Sequence, residues 1–205
     1  MKVFIQFACI CFIYMSSNVF AADSEGKFAA KGAGRKACED FVVSFQQKDS
    51  EFLLYAGWLE GYLSAYNQFQ KNNYDIAPWQ TTELFLILLQ RHCSENSNVK
   101  FLDATNTMIR AFYPIRLDSE GAIVKVQVGD ATAYYYKEIL LRAKTRLKKM
   151  GFYPKEISGD KFTDEDIKAF SNYQQKFNLK VTGLPDQNTL TTLFLKANPN
   201  KSFTD

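Results

Sequence analysis

The chain has 205 residues and a net charge of +3, and 46% of its residues are hydrophobic and 23% charged. This composition excludes a disordered or collagen-like chain, and the length allows one or two domains. A single histidine, His92, argues against a zinc hydrolase and against a histidine-dependent nucleophilic enzyme. Composition therefore favours a protein with no metal, no cofactor and no catalytic site.

The first 22 residues have the layout of a secretory signal peptide. Lys2 gives a basic start, residues 3–15 form an apolar run, and small residues offer a cleavage site after Ala21 or Ala22. A transmembrane helix is the alternative, but it needs about 20 apolar residues and this run is shorter. We expect an exported protein, periplasmic or secreted, with no stable membrane insertion after cleavage.

Removal of this segment leaves two cysteines, Cys38 and Cys93. In an oxidising compartment two cysteines most simply form one disulfide. A catalytic thiol at Cys93 beside His92 is the alternative. Adjacent residues on a helix point about 100° apart, however, so His92 is badly placed to activate that thiol. We therefore expect the disulfide.

The mature chain divides into two parts of opposite charge. Residues 23–132 carry 11 basic and 14 acidic side chains, whereas residues 133–205 carry 13 basic and 8 acidic ones. This asymmetry predicts an anionic partner for the second part, or only a solvated basic surface. No basic run is dense enough to indicate nucleic acid.

Helical periodicity dominates the first part, and it predicts a small helical bundle that the disulfide joins. Residues 23–35 are rich in Gly, Ala and Lys and predict a flexible arm. Thr81 or Thr82 is expected to cap a central buried helix that carries Cys93. The predicted helices cover residues 36–47, 50–71, about 82–93 and 99–113, and the second presents an apolar stripe of Tyr55, Leu59, Tyr62, Tyr66 and Phe69.

Three small residues lie four apart on the second predicted helix: Gly57, Gly61 and Ala65. Glycine lowers helix stability, so two on one face indicate that another backbone comes close to them. A groove for a partner is one interpretation, and tight packing against another helix of the bundle is the other.

Residues 36–113 resemble a family of small exported helical proteins with one disulfide, which includes immunity proteins against cell-wall amidases. The resemblance depends on Cys38, the segment Tyr55-Ala-Gly-Trp-Leu-Glu-Gly-Tyr-Leu-Ser-Ala-Tyr, and Cys93 near Asn96.

The pattern changes to a two-residue period over 121–133, where Val124, Val126 and Val128 alternate with polar residues. Gly129-Asp130 can form the turn of a short β-hairpin. Helical patterns resume from Tyr136, and Gly151 is expected to end the first of three helices in a left-handed conformation. The predicted fold is thus mainly α: a disulfide-linked bundle, a hairpin and a small three-helix domain. The expected boundaries are 1–22, 23–35, 36–120, 121–135, 136–197 and a tail at 198–205.

Residues 137–196 resemble the peptidoglycan-binding domain that accompanies many bacterial wall enzymes. The pieces that agree are Leu147…Gly151-Phe-Tyr, Gly159-Asp-Lys-Phe, Ala169…Tyr173-Gln174, Leu179…Val181-Thr182-Gly183 and Asp186…Thr189…Leu193. The chain departs from the family in the loop at 159–166: Gly-Asp replaces Asp-Gly, Thr163 replaces a glycine, and Asp166 replaces a threonine.

The resemblance implies binding to peptidoglycan. Glycan rings pack on aromatic faces, and stem-peptide carboxylates favour ammonium and amide donors. The candidate ligand contacts are Tyr153, Lys161, Gln174 and Gln175, and the alternative for each is a core or solvated surface residue.

We hypothesise an exported, non-enzymatic protein that binds peptidoglycan through its C-terminal domain and an unidentified protein through its N-terminal bundle. The alternative is an immunity- or effector-like factor whose C-terminal domain has lost affinity for the wall. A lytic transglycosylase is a weaker alternative, with Glu60 or Glu83 as its acid/base.

Overall fold

The structure is a computed structural model that describes residue 23 and residues 25–153, 157 and 161–196. The predicted signal peptide and the C-terminal tail lie outside these residues. The described part is mainly helical with one two-stranded sheet, which confirms the predicted fold class. Its elements are α1 (Cys38–Gln47), α2 (Ser50–Phe69), α3 (Thr82–Glu95), α4 (Phe101–Phe112), β1 (Ile123–Val128), β2 (Ala131–Tyr136), α5 (Lys137–Lys149), α6 (Asp164–Lys176), α7 (Gln187–Thr191) and a π-helical turn (Thr192–Lys196).

Helices α1 to α4 pack around one apolar core, the N-terminal cluster. The Cys38–Cys93 disulfide joins α1 to α3, as predicted. Helix α3 is buried along its apolar run from Leu84 to Leu89 except at Ile87, and the Thr81 hydroxyl caps it by accepting a hydrogen bond from the Leu84 N–H. The core is rich in rings, with Phe41, Tyr55 and Phe101 in mutual contact.

Two details of this part differ from the predictions. Residues 32–35 form a 3-10 turn in which Ala33 and Gly34 are buried, so the end of the predicted flexible arm packs on the bundle. The apolar stripe predicted on α2 is buried only in part: Tyr55 and Leu59 lie in the core, whereas 71% of Phe69 is exposed at the C-terminal end of the helix.

The hairpin and helices α5 to α7 form a second apolar core, the C-terminal cluster. Ile139, Ala143 and Leu147 of α5 are buried there, and Gly151 follows the helix with φ of +82°. The side chains of Thr163 and Asp186 cap α6 and α7, as expected from the sequence.

The two clusters are in contact through Trp79, which packs against both. Its ring lies 5.3 Å from that of Phe194, centroid to centroid, in the π-helical turn. The backbone N–H of Thr81 also donates to the side chain of Gln187, at 3.1 Å. None of the described helices has the length and apolar character to cross a membrane.

Candidate functional site

The loop between α5 and α6 is held by a buried ion pair. Lys144 Nζ lies 2.8 Å from Asp166 Oδ2, and the exposed fractions of the two side chains are 1% and 0%. The same ammonium donates to the backbone carbonyl of Lys161, at 2.9 Å. Lys144 therefore ties the loop to the start of α6.

Two of the residues that depart from the resembled family, Thr163 and Asp166, take part in this arrangement, whereas Gly159 and Asp160 lie outside the described residues. Asp166 accepts hydrogen bonds from the backbone N–H of Thr163 at 2.7 Å and from its hydroxyl at 3.1 Å. Thr163 in turn caps the helix through the Asp166 N–H. Thr163 and Asp166 thus form a capping box whose carboxylate neutralises the buried Lys144.

Tyr153 lies against the same cluster and is only 5% exposed. Burial, and then the neighbouring carboxylate of Asp166, raises the pKa of Tyr153 to about 12. The phenol therefore stays neutral at physiological pH, and its ring supports the loop from inside.

A second polar network surrounds Gln174, which is fully buried. Its amide oxygen accepts the backbone N–H groups of Thr182 and Gly183 at 2.9 and 2.8 Å. Its amide nitrogen donates to the Leu184 carbonyl at 2.8 Å and to the Thr189 hydroxyl at 2.9 Å. Gln174 thereby fixes the turn between α6 and α7.

The four predicted ligand contacts therefore fall into two groups. Tyr153 and Gln174 are buried and organise two separate loops, whereas Lys161 and Gln175 are exposed. Contact of any of the four with a ligand stays a prediction, and Lys161 and Gln175 are the two with accessible side chains.

Lys144 was not predicted from the sequence to lie beside Lys161. Its burial could have been predicted from its position, because residue 144 lies four after Leu140 and three before Leu147 and so faces inward with them. A lysine at such a position needs a buried partner, which here is Asp166.

On the N-terminal bundle, Gly57 and Gly61 are exposed and Ala65 is half-buried. A Cβ atom added at either glycine would meet nothing within 4 Å, apart from the backbone of α2 itself. Within the described residues, these glycines thus do not serve the packing of another helix, which was one of the two interpretations. Contact with a partner stays a prediction.

The N-terminal bundle has a cleft of about 360 Å³ between the C-terminal end of α1 and the N-terminal parts of α2 and α3. The ammonium of Lys48 lies 3.8 Å from the ring centroid of Phe45 and 4.0 Å from that of Phe52. Glu83 lines the cleft, and Glu60, outside it, accepts a hydrogen bond from Thr82 at 2.8 Å. The described residues contain no group of His, Cys, Asp and Glu that could hold a metal ion.

Comparison with protein families gives a match in the C-terminal part of the chain. Residues 138–193 match the family described as "Putative peptidoglycan binding domain". The chain therefore contains a peptidoglycan-binding domain, formed by α5, α6 and α7, as the resemblance implied. No curated protein and no solved structure matches the sequence.

Proposed function

We propose that the chain is an exported, non-enzymatic protein that attaches to peptidoglycan through its C-terminal domain and presents its N-terminal bundle to a protein partner. The family match over 138–193 is the observation that carries the proposal. The disulfide is in keeping with an oxidising compartment outside the cytoplasm. The basic balance of residues 133–205 favours an anionic polymer with free carboxylates.

Lys161 and Gln175 are the residues that we assign to the ligand. Both are exposed at the ends of the α6 region, Lys161 before the helix and Gln175 in its last turn. An ammonium and an amide are suitable donors for stem-peptide carboxylates and carbonyls. Buried Tyr153 and Gln174 would act indirectly, by holding the loops in place.

The test is cosedimentation of the mature chain, residues 23–205, with purified sacculi. We expect the chain to sediment and Lys161→Ala to weaken binding by about tenfold, because a charge-assisted hydrogen bond is lost. Lys71→Ala is the matched control, since it removes an exposed lysine from the N-terminal half. We also expect no release of soluble muropeptides, with or without Glu60→Gln or Glu83→Gln.

Three results would contradict the proposal. A chain that stays in solution would show that the domain does not bind the wall. Equal weakening of binding by Lys161→Ala and Lys71→Ala would mean that net charge, and not a specific contact of Lys161, attracts the chain to the wall. Release of muropeptides that Glu60→Gln or Glu83→Gln abolishes would indicate a transglycosylase.

A second candidate function is an immunity- or effector-like role in which the C-terminal domain has lost affinity for the wall. The capping box formed by Thr163 and Asp166 favours this candidate. The side chains that replace the family residues at 163 and 166 are directed at each other and at Lys144. They are therefore committed to the fold. An immunity- or effector-like role would then depend on the bundle, and the chain would fail to sediment with sacculi.

A further inference from the structure

The β-hairpin presents one face to the core and one to solvent. Residues 124, 126 and 128 of β1 pair with 135, 133 and 131 of β2 on the inner face, where Val126 is fully buried. Tyr135 packs into the C-terminal cluster from the same face. The hairpin is therefore fixed to the peptidoglycan-binding domain, and its outer face is held in a defined orientation.

The outer face carries aromatic rings. Tyr134 and Tyr136 are two residues apart on β2, so their Cα atoms are about 7 Å apart on the same side of the sheet. Tyr134 is 66% exposed, whereas Tyr136 is half-buried and also packs against the C-terminal cluster. The ring of Tyr74, from the segment before α3, lies 6.2 Å from that of Tyr136 and is also exposed. We call Tyr74, Tyr134 and Tyr136 the tyrosine row.

Polar side chains and one exposed apolar residue, Ile123, which pairs with Tyr136, border this row. Lys125 is paired with Tyr134, and Gln127 with Thr132, and all three polar residues are exposed. At the other end the carboxylates of Asp75 and Glu120 lie near Tyr136, where they add to the effect of burial in raising its pKa. The row thus combines apolar ring faces with donors at one end and acceptors at the other.

This combination favours a sugar chain over an apolar protein surface. Pyranose rings have apolar C–H faces and hydroxyl edges, so they need an exposed ring with hydrogen-bonding groups around it. A protein partner of ordinary interface type would instead need a larger contiguous apolar patch.

The position of the row in the chain indicates which sugar. Strand β2 ends at Tyr136, α5 begins at Lys137, and the family match starts at residue 138. The outer face of the hairpin is thus continuous with the domain that binds the wall, although it lies outside the matched residues. From this juxtaposition we propose that the tyrosine row binds the glycan strand of peptidoglycan, a site that rests on the proposed function.

The experiment measures binding of a soluble β-1,4-linked N-acetylglucosamine hexamer to the mature chain by calorimetry. We expect Tyr134→Ala to weaken binding by about threefold to tenfold, the scale of one aromatic stacking contact. Tyr134→Phe keeps the ring and should bind like the wild type. Phe69→Ala removes an equally exposed ring from α2 and is the matched control.

Cosedimentation with sacculi separates this inference from the proposed function. Sedimentation of the wild type without measurable binding of the hexamer would overturn the tyrosine row and leave wall binding intact. Equal affinity of wild type and Tyr134→Ala for the hexamer, or equal weakening by Phe69→Ala, would overturn it as well. Failure of the wild type in both assays would reject the proposed function itself. Thermal unfolding of Tyr134→Ala should match the wild type, because the ring is exposed.

Discussion

Lys144 and Asp166 are the charged residues that the fold buries completely within the described part of the chain. Removing two charges from water is costly, and the pair is tolerated because the carboxylate also accepts from Thr163 and the ammonium donates to Lys161. The pair therefore ties α5 and Lys161 to the start of α6, and removal of either partner would strongly destabilise the fold because the other charge would stay buried and unpaired.

We predict that Lys144→Met lowers the free energy of unfolding by about 3–5 kcal/mol, because it leaves Asp166 buried without its cation. The double variant Lys144→Met, Asp166→Asn should lose less free energy of unfolding than the sum of the losses in Lys144→Met and Asp166→Asn. Urea denaturation measures all three. Lys36→Met is the control, since Lys36 and Glu51 form an exposed pair at 2.6 Å and should contribute much less. A Lys144→Met protein as stable as Lys36→Met would show that the buried pair does not hold the loop.

Single residues were the hardest features to predict from the sequence. The caps at Thr81, Thr163 and Asp186 could be predicted because their partners are three residues away. Gln174 was interpreted as a ligand contact, but its partners at 182–189 are brought to it by the turn after α6. Lys144 and Asp166 are 22 positions apart, and helical periodicity carries no information about which lysine meets which carboxylate.

Whole elements were predicted more completely, because the periods of helices and strands are local. The four helices of the bundle and the hairpin turn at Gly129-Asp130 agree with the sequence analysis. The environment of α2 was not predictable in the same way. Its period indicates a stripe, but only tertiary packing decides that Tyr55 and Leu59 are buried while Gly57, Gly61 and Phe69 are exposed.

The glycines near and in α2 differ in what surrounds them. A Cβ at Gly34 would lie 2.3 Å from the Trp58 ring, whereas a Cβ at Gly57 would meet no neighbour within 4 Å. We predict that Gly34→Ala lowers the free energy of unfolding by about 1–3 kcal/mol through overpacking. Gly57→Ala should raise it by up to about 1 kcal/mol, because alanine favours a helix.

Chemical denaturation of both variants checks this prediction, and the outcome also bears on the partner face. A destabilising Gly57→Ala would mean that the exposed surface of α2 is more restricted than its packing indicates. A stabilising one gives a folded variant with an altered face, which is the protein needed to ask whether the surface at Gly57, Gly61 and Ala65 contacts a partner.

At the scale of the whole molecule, the N-terminal and C-terminal clusters meet in the region around Trp79. Leu117, which follows α4, is fully buried in the C-terminal cluster, whereas Leu195 of the π-helical turn packs on the N-terminal one. The guanidinium of Arg142 also donates to the carbonyls of Ile115 and Arg116. These exchanged contacts indicate that the peptidoglycan-binding domain is docked on the bundle, so a wall-bound chain would hold the bundle in a fixed orientation.

Docking predicts cooperative unfolding, and Trp79 is the residue on which to test it. The wild type should unfold in one transition, because loss of either cluster exposes Trp79 and Phe194. We expect Trp79→Ala to lower the free energy of unfolding by about 3 kcal/mol and to separate the two clusters into distinct transitions. Trp79→Phe, which keeps an aromatic ring at the contact, should preserve the single transition.

Both variants retain one tryptophan, Trp58, which packs in the N-terminal cluster and reports on it alone by fluorescence. Far-ultraviolet circular dichroism follows the helices of both clusters. The two signals should therefore coincide during urea unfolding of Trp79→Phe and diverge in Trp79→Ala. Coincident curves in Trp79→Ala would mean that the remaining contacts through Leu117, Arg142 and Gln187 are enough to couple the halves. Divergent curves in Trp79→Phe as well would mean that the two halves unfold independently, and the fixed orientation inferred above would then be wrong.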